Sequence, residues 1–152
     1  MPDDLSTSQD SIPAADGGCI CNAVRYQLRG PPKGSWICHC LSCRKVSGSI
    51  CMANIYISKD QWAIVKGADH LHKFTDYNTS SGLPFFAFFC RTCSCLVYTS
   101  SDELDKEGAL IIPSGSLDEP LEWKPTMEFW CIRRSAWLPP IEGTKQFEKN
   151  PQ

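Results

Sequence analysis

The sequence predicts an all-β domain. Apolar residues in its firmest runs recur at every second position, the runs are short, and turn signals rich in Gly, Pro and Asn separate them. In chain order, residues 1–15 are polar and read as an unstructured tail. Gly17-Gly18 and Gly30-Pro31-Pro32 are turn signals. From Ile50 to Ile57 apolar residues occupy both alternating sets, the pattern of a buried strand. Ser58 and Gln61 have the spacing of a capping box and predict one short helical turn. Asn78–Gly82 marks another turn before the runs Phe85–Cys90, Leu96–Thr99, Ala109–Ile112 and Phe129–Ile132, with Pro113–Gly115 as a further break. Residues 144–152 read as a second tail in which Phe147 can dock on the body. The expected division is therefore a tail at 1–15, one domain at 16–143 and a tail at 144–152.

The chain has 152 residues, 42% of them hydrophobic and 21% charged, which suits one domain with a real core. A net charge of −2 offers no basic field for nucleic acid or an anionic membrane, and no apolar run approaches the roughly 18 residues that span a bilayer. A small-molecule partner is the expectation, with oligomeric state open. The polar, acidic start lacks the basic and apolar regions of a secretory signal, so a cytoplasmic location is expected.

Ten cysteines in such a chain point to metal or catalysis rather than to disulfides. Their spacing agrees, because C-x-C and C-x-x-C clusters converge on one ion more readily than they pair with distant partners. Cys19 and Cys21, two apart on an extended chain, project to one face. With Cys90 and Cys93 they supply four thiolates, the donor set of a closed structural zinc site.

Cys38, Cys40 and Cys43 form a second set, with Cys38 and Cys40 sharing a strand face and a turn returning Cys43 beside them. Three thiolates leave a tetrahedral ion one protein ligand short, the arrangement of catalytic zinc. Such a soft site suits a substrate thiol. His39 faces away if the segment is extended, and reads as a structural histidine before a ligand. Arg44 and Lys45 can attract an anionic group or offset thiolate charge. Cys51, Cys95 and Cys131 read as small buried hydrophobes, although Cys95 or Cys51 at the second set would close it.

Several stretches together resemble the glutathione-dependent formaldehyde-activating enzyme family, which includes centromere protein V. They are Gly18-Cys19-Ile20-Cys21 with Tyr26, Cys38-His39-Cys40-x-x-Cys43-Arg44-x-x-Ser47-Gly48, Phe89-Cys90-x-x-Cys93, Gly115-Ser116-Leu117-Asp118 and Trp137-Leu138-Pro139. The resemblance implies an Mss4-like fold of small antiparallel sheets stapled by zinc. It also implies two zinc ions, structural in the first set and catalytic in the second. The activity implied is addition of glutathione to formaldehyde, a carbon–sulfur lyase reaction. The sequence departs from the family pattern at Ser94-Cys95, at the wholly apolar Phe85–Phe89 and at Glu128, where many relatives carry histidine.

A zinc lyase acting on a small molecule, with glutathione as co-substrate, is the leading reading. Phe88 joins Arg44 and Lys45 as a substrate contact, and Glu128, Asp118 and His39 are the candidate acid–base groups. The competing reading is a non-catalytic zinc scaffold with two closed sites. The fourth ligand of the second set discriminates between them.

Overall fold

A computed structural model describes residues 14–120 and 123–151. The chain forms two sheets whose strands are mostly antiparallel. Strands β1 (Ala14–Gly18), β2 (Arg25–Arg29) and β5 (Trp62–Lys66) make the smaller sheet, in the order β1-β2-β5. The larger sheet joins β3 (Gly34–Cys38), β4 (Met52–Ser58), β6 (Leu71–Asp76), β7 (Phe85–Cys90), β8 (Leu96–Ser100), β9 (Ala109–Pro113), β10 (Met127–Phe129) and β11 (Lys145–Gln146). Its order is β11-β10-β3-β4-β9-β8-β7-β6, and β10 pairs in parallel with both β3 and β11.

The core lies where the two sheets meet. Tyr26 and Leu28 from β2 pack with Ile55 and Ile57 from β4, Val97 from β8 and Leu110 and Ile112 from β9, all of them buried. Burial of such side chains is the main stabilising term, about 1.5–3 kcal/mol for each aliphatic one. The strand expected at 50–57 is therefore present as β4, with Met52, Asn54, Ile55 and Ile57 buried and the intervening residues half covered.

Two short helices, α1 (Leu41–Ser47) and α2 (Asp102–Lys106), carry no buried residue, so their sequences show no apolar stripe to read. Helix α2 is set by its ends instead: Ser101 Oγ accepts the Leu104 N–H at 3.2 Å, with Asp102, Glu103 and Asp105 in the first turn. The expected capping turn is a single 3₁₀ turn at Lys59–Gln61, where Gln61 Oε1 accepts the Ser58 N–H at 3.0 Å.

Four sequence expectations change. Gly17-Gly18 is the end of β1 rather than a turn; a Cβ on Gly17 would lie 2.4 Å from the Tyr26 ring, so the glycine admits close packing. The tail expected at 1–15 lies outside the described residues up to position 13, but Ala14 and Ala15 pair with Arg29 and Leu28. The run Phe129–Ile132 is not a strand: β10 stops at Phe129, Trp130 turns into the left-handed region (φ 59°) and Cys131–Arg133 is a 3₁₀ turn. The stretch from residue 144 is no loose tail. Met127 pairs with Lys145, Phe147 N–H bonds the Glu128 carbonyl at 2.9 Å, and the Phe147 ring meets Phe129 edge-on.

Candidate metal centre

The first cysteine set comes together at two tight turns. After β1 the chain folds back so that Asn22 N–H bonds the Cys19 carbonyl at 3.0 Å and Cys19 N–H bonds the Val24 carbonyl at 3.1 Å. Asn22 occupies the left-handed region (φ 59°), which asparagine tolerates well. Past β7, Ser94 N–H bonds the Cys90 carbonyl at 3.0 Å, with Ser94 itself left-handed (φ 61°). These turns gather the sulfurs of Cys19, Cys21, Cys90 and Cys93 within 4.8 Å of one another. Cys19 and Cys21 are 3.5 Å apart, Cys21 and Cys90 3.7 Å. Sulfurs at about 2.3 Å from a tetrahedral zinc sit about 3.8 Å apart, so a metal ion of that size fits.

The second set is built by a strand end and a helix start. Cys38 is the last residue of β3, and Cys40, still extended (φ −64°, ψ 161°), is the N-cap of α1. Its sulfur accepts the backbone N–H of Cys43 at 3.3 Å. The turn expected after Cys40 is thus the first turn of a helix, which returns Cys43 beside its partners. The three sulfurs lie within 4.8 Å of one another.

With no cation among them, three thiols so placed cannot ionise together. Sulfur contacts from Cys38 and Cys43, helped by the Cys43 and Ser42 N–H groups, hold Cys40 down to about 3. Interaction with Cys40 pushes Cys38 up to about 12, and Cys43 is pushed up by Cys38 and Cys40. A divalent cation reverses this, because each thiolate then faces positive charge. The donor set therefore fits a soft divalent ion.

No fourth ligand joins Cys38, Cys40 and Cys43 among the described residues. Cys95 stands beside the other set, where, against a lowering bond from the Ile20 backbone, burial and then Cys93 raise its pKa, and it lines a cleft together with Cys51. Cys131 bonds Gln146 Oε1 at 3.2 Å. His39 is fully buried, with Nε2 2.7 Å from Glu128 Oε1.

The cleft has a volume of about 760 Å³ and borders the end of α1 and Cys19, while Cys38, Cys40 and Cys43 are not among its lining residues. Its lining includes Cys19, Ser94, Val46, Ser47, Met52 and the Ser114–Asp118 segment. Arg25 is fixed at this cleft by an ion pair with Asp118, which keeps the Asp118 carboxylate below its ordinary pKa. Beneath it Tyr26 is buried, its hydroxyl 2.7 Å from Ser116 Oγ, and burial pushes it up to about 12.

The expected site residues separate. Asp118 reaches the cleft, but as the partner of Arg25. Glu128 is fully buried: its carboxylate accepts from His39, the Ile141 N–H (2.9 Å), Thr144 (3.1 Å) and Gln146. Those bonds outweigh the cost of burial and bring its pKa down to about 2, so neither Glu128 nor His39 is placed to meet a substrate. Arg44 is half-buried and Lys45 exposed on α1, and neither lines the cleft. Phe88 lies elsewhere, stacked on Tyr98 at 4.2 Å in a second pocket of about 360 Å³ with Trp62 and Asp105. Sequence reading missed Arg25, Thr144 and Gln146. Arg25 sits four residues after Cys21, inside the first motif, and that proximity was the available signal; the other two lie in a stretch with no motif.

Two clustered-cysteine sites, one of four sulfurs and one of three, define a small β-domain able to hold metal ions. The chain belongs to the glutathione-dependent formaldehyde-activating enzyme family, whose model matches residues 14–133. A search of curated proteins gave no significant match. A crystal structure of a Rhodobacter sphaeroides protein from structural genomics shares the fold, with a TM-score of 0.53 and 17% identity over 70% of this chain and 91% of that one. No helix among the described residues is long and apolar enough to cross a membrane.

Proposed function

We propose that the protein is a zinc-dependent carbon–sulfur lyase that joins a thiol, glutathione in the first instance, to a small aldehyde such as formaldehyde. The observation that carries this reading is the three-sulfur set at Cys38, Cys40 and Cys43, which no further protein donor completes among the described residues. Zinc held there supplies a Lewis acid with one position for an outside ligand and lowers the pKa of a thiol bound at it. The four-sulfur set is the structural counterpart, joining the turn after β1 to the turn after β7.

The chemistry requires a C–S bond between the thiol and the carbonyl carbon, with the thiol proton ending on the carbonyl oxygen. Cys38, Cys40 and Cys43 hold the ion, while the cleft beside α1 has room for a tripeptide-sized ligand. The scaffold reading needs a closed second site, and neither Cys95, Cys51 nor His39 belongs to the three-sulfur group.

The test is exchange spectroscopy of ¹³C-formaldehyde with glutathione. The zinc-loaded protein should accelerate formation of S-hydroxymethylglutathione above the spontaneous rate, and Cys40→Ser should return it to that rate. Two bound zinc ions without acceleration would refute the thiol–formaldehyde reading.

A further inference from the structure

The residues around Glu128 tie the C-terminal strand to the three-cysteine set. His39 stands between Cys38 and Cys40 in sequence and is fully buried, as is Glu128. Nε2 of His39 is 2.7 Å from Oε1 of Glu128 and must donate, because an ionised carboxylate only accepts. Nδ1 of His39 has no hydrogen-bond partner among the described residues, so Glu128 is the one polar group that orients the ring. Strand pairing adds to this tie: Phe129 pairs with Cys38, and the Phe129 carbonyl accepts the His39 N–H at 3.0 Å.

The other carboxylate oxygen, Oε2, is enclosed from the C-terminal side. It accepts the Ile141 N–H at 2.9 Å, Thr144 Oγ1 at 3.1 Å and a bond from Gln146 Nε2. Gln146 Oε1 in turn accepts from Arg134 Nη2 at 2.9 Å. Residues 141–146 lie beyond the 14–133 region matched by the family model, yet they supply these three donors to the carboxylate.

We infer that Glu128, with Thr144 and Gln146 closing over it, is a positioning device that holds His39 and thereby the Cys38–Cys40 backbone in metal-binding geometry. The C-terminal strand thus controls how firmly the three-cysteine site keeps its ion. Groups bonded directly to a metal ligand commonly change its affinity by roughly 10–100-fold when removed, and Glu128, acting one residue further out through His39, is expected at the lower end of that range. This inference rests on the three-cysteine set holding zinc.

The experiment follows zinc transfer from the full-length, zinc-loaded protein to a chromophoric chelator. Wild type should release two ions in two phases, and the phase missing in Cys40→Ser belongs to the three-cysteine site. In the double variant Thr144→Val, Gln146→Leu that phase should quicken by about tenfold or more, with the other phase unchanged. Thr144→Ser, which keeps the hydroxyl donor, should release at the wild-type rate. Should the double variant fail to fold, Glu128→Gln carries the same expectation. Unchanged phases, or equal acceleration of both as the whole domain loosens, would overturn the inference. A wild-type protein holding a single ion would instead remove the metal reading beneath it, and the inference with it.

Discussion

The sulfur of Cys40 accepts the backbone N–H of Cys43 at 3.3 Å, so one side chain both caps helix α1 and belongs to the three-sulfur set. Serine is among the best N-cap residues, whereas its neutral hydroxyl is a poor soft-metal ligand. Cys40→Ser should therefore keep α1 and the fold while lowering bound zinc from about two ions per chain toward about one. Metal analysis beside far-ultraviolet circular dichroism checks this. Retention of both ions would count against the assignment of Cys40.

Loss of a sulfur from the other set should act on the fold itself. Cys21 and Cys90 are 69 positions apart in sequence and 3.7 Å apart in space, so an ion there cross-links the turns after β1 and β7. Cys90→Ser breaks that link and puts a hydroxyl at a buried position. A loss of roughly 4 kcal/mol or more is expected, a fall of about 8–16 °C in melting temperature for a chain of this size. Thermal unfolding of the zinc-loaded forms measures it, and a melting temperature within a degree or two of wild type would show that the set is not a staple.

Ser94 offers a gain. It is left-handed (φ 61°) in the turn between Cys93 and Cys95, a conformation that favours glycine. Ser94→Gly should stabilise the protein by about 0.5–1 kcal/mol, the relieved backbone strain exceeding the added chain entropy. Denaturant unfolding at fixed zinc concentration reads the sign. A destabilised variant would mean that the Ser94 side chain contributes more than its backbone costs.

Strands β4, β7, β8 and β9 and both cysteine sets were legible in the sequence, for identifiable reasons. Strand β4 shows as a continuous apolar run because Met52, Ile55 and Ile57 are buried and Ala53 and Tyr56 between them are half covered, and the cysteine spacings bring each set together. Helix α1 was hidden: none of its residues is buried, and its start is fixed by a cysteine, which is not a usual cap. Strand β6 was hidden for a related reason, being an edge strand with His72, Lys73 and Phe74 exposed. The burial of Glu128 was the least readable feature. It depends on β10 lying between β3 and β11 and on donors from residues 141–146, a pairing that no local pattern announces.

That burial has a pH signature. Burial alone would raise the Glu128 pKa, but bonds from Gln146, His39, Ile141 and Thr144 prevail and lower it from 4.5 to about 2. A carboxylate lowered in the folded state contributes stability above its unfolded pKa, and that contribution fades as pH falls toward the folded value. The difference is worth on the order of 3 kcal/mol. Wild type should exceed Glu128→Gln by a margin that is full above about pH 5 and shrinks toward pH 2. A margin independent of pH would show that Glu128 is not ionised in the fold.

The most direct test of the account is zinc X-ray absorption on the purified protein before and after adding glutathione. A four-sulfur and a three-sulfur site predict an average of about 3.5 sulfurs per zinc, rising to about 4 as the thiol joins the set at Cys38, Cys40 and Cys43. An average of about 4 sulfurs from the outset, unchanged by glutathione, would mean two closed sites and would contradict the account.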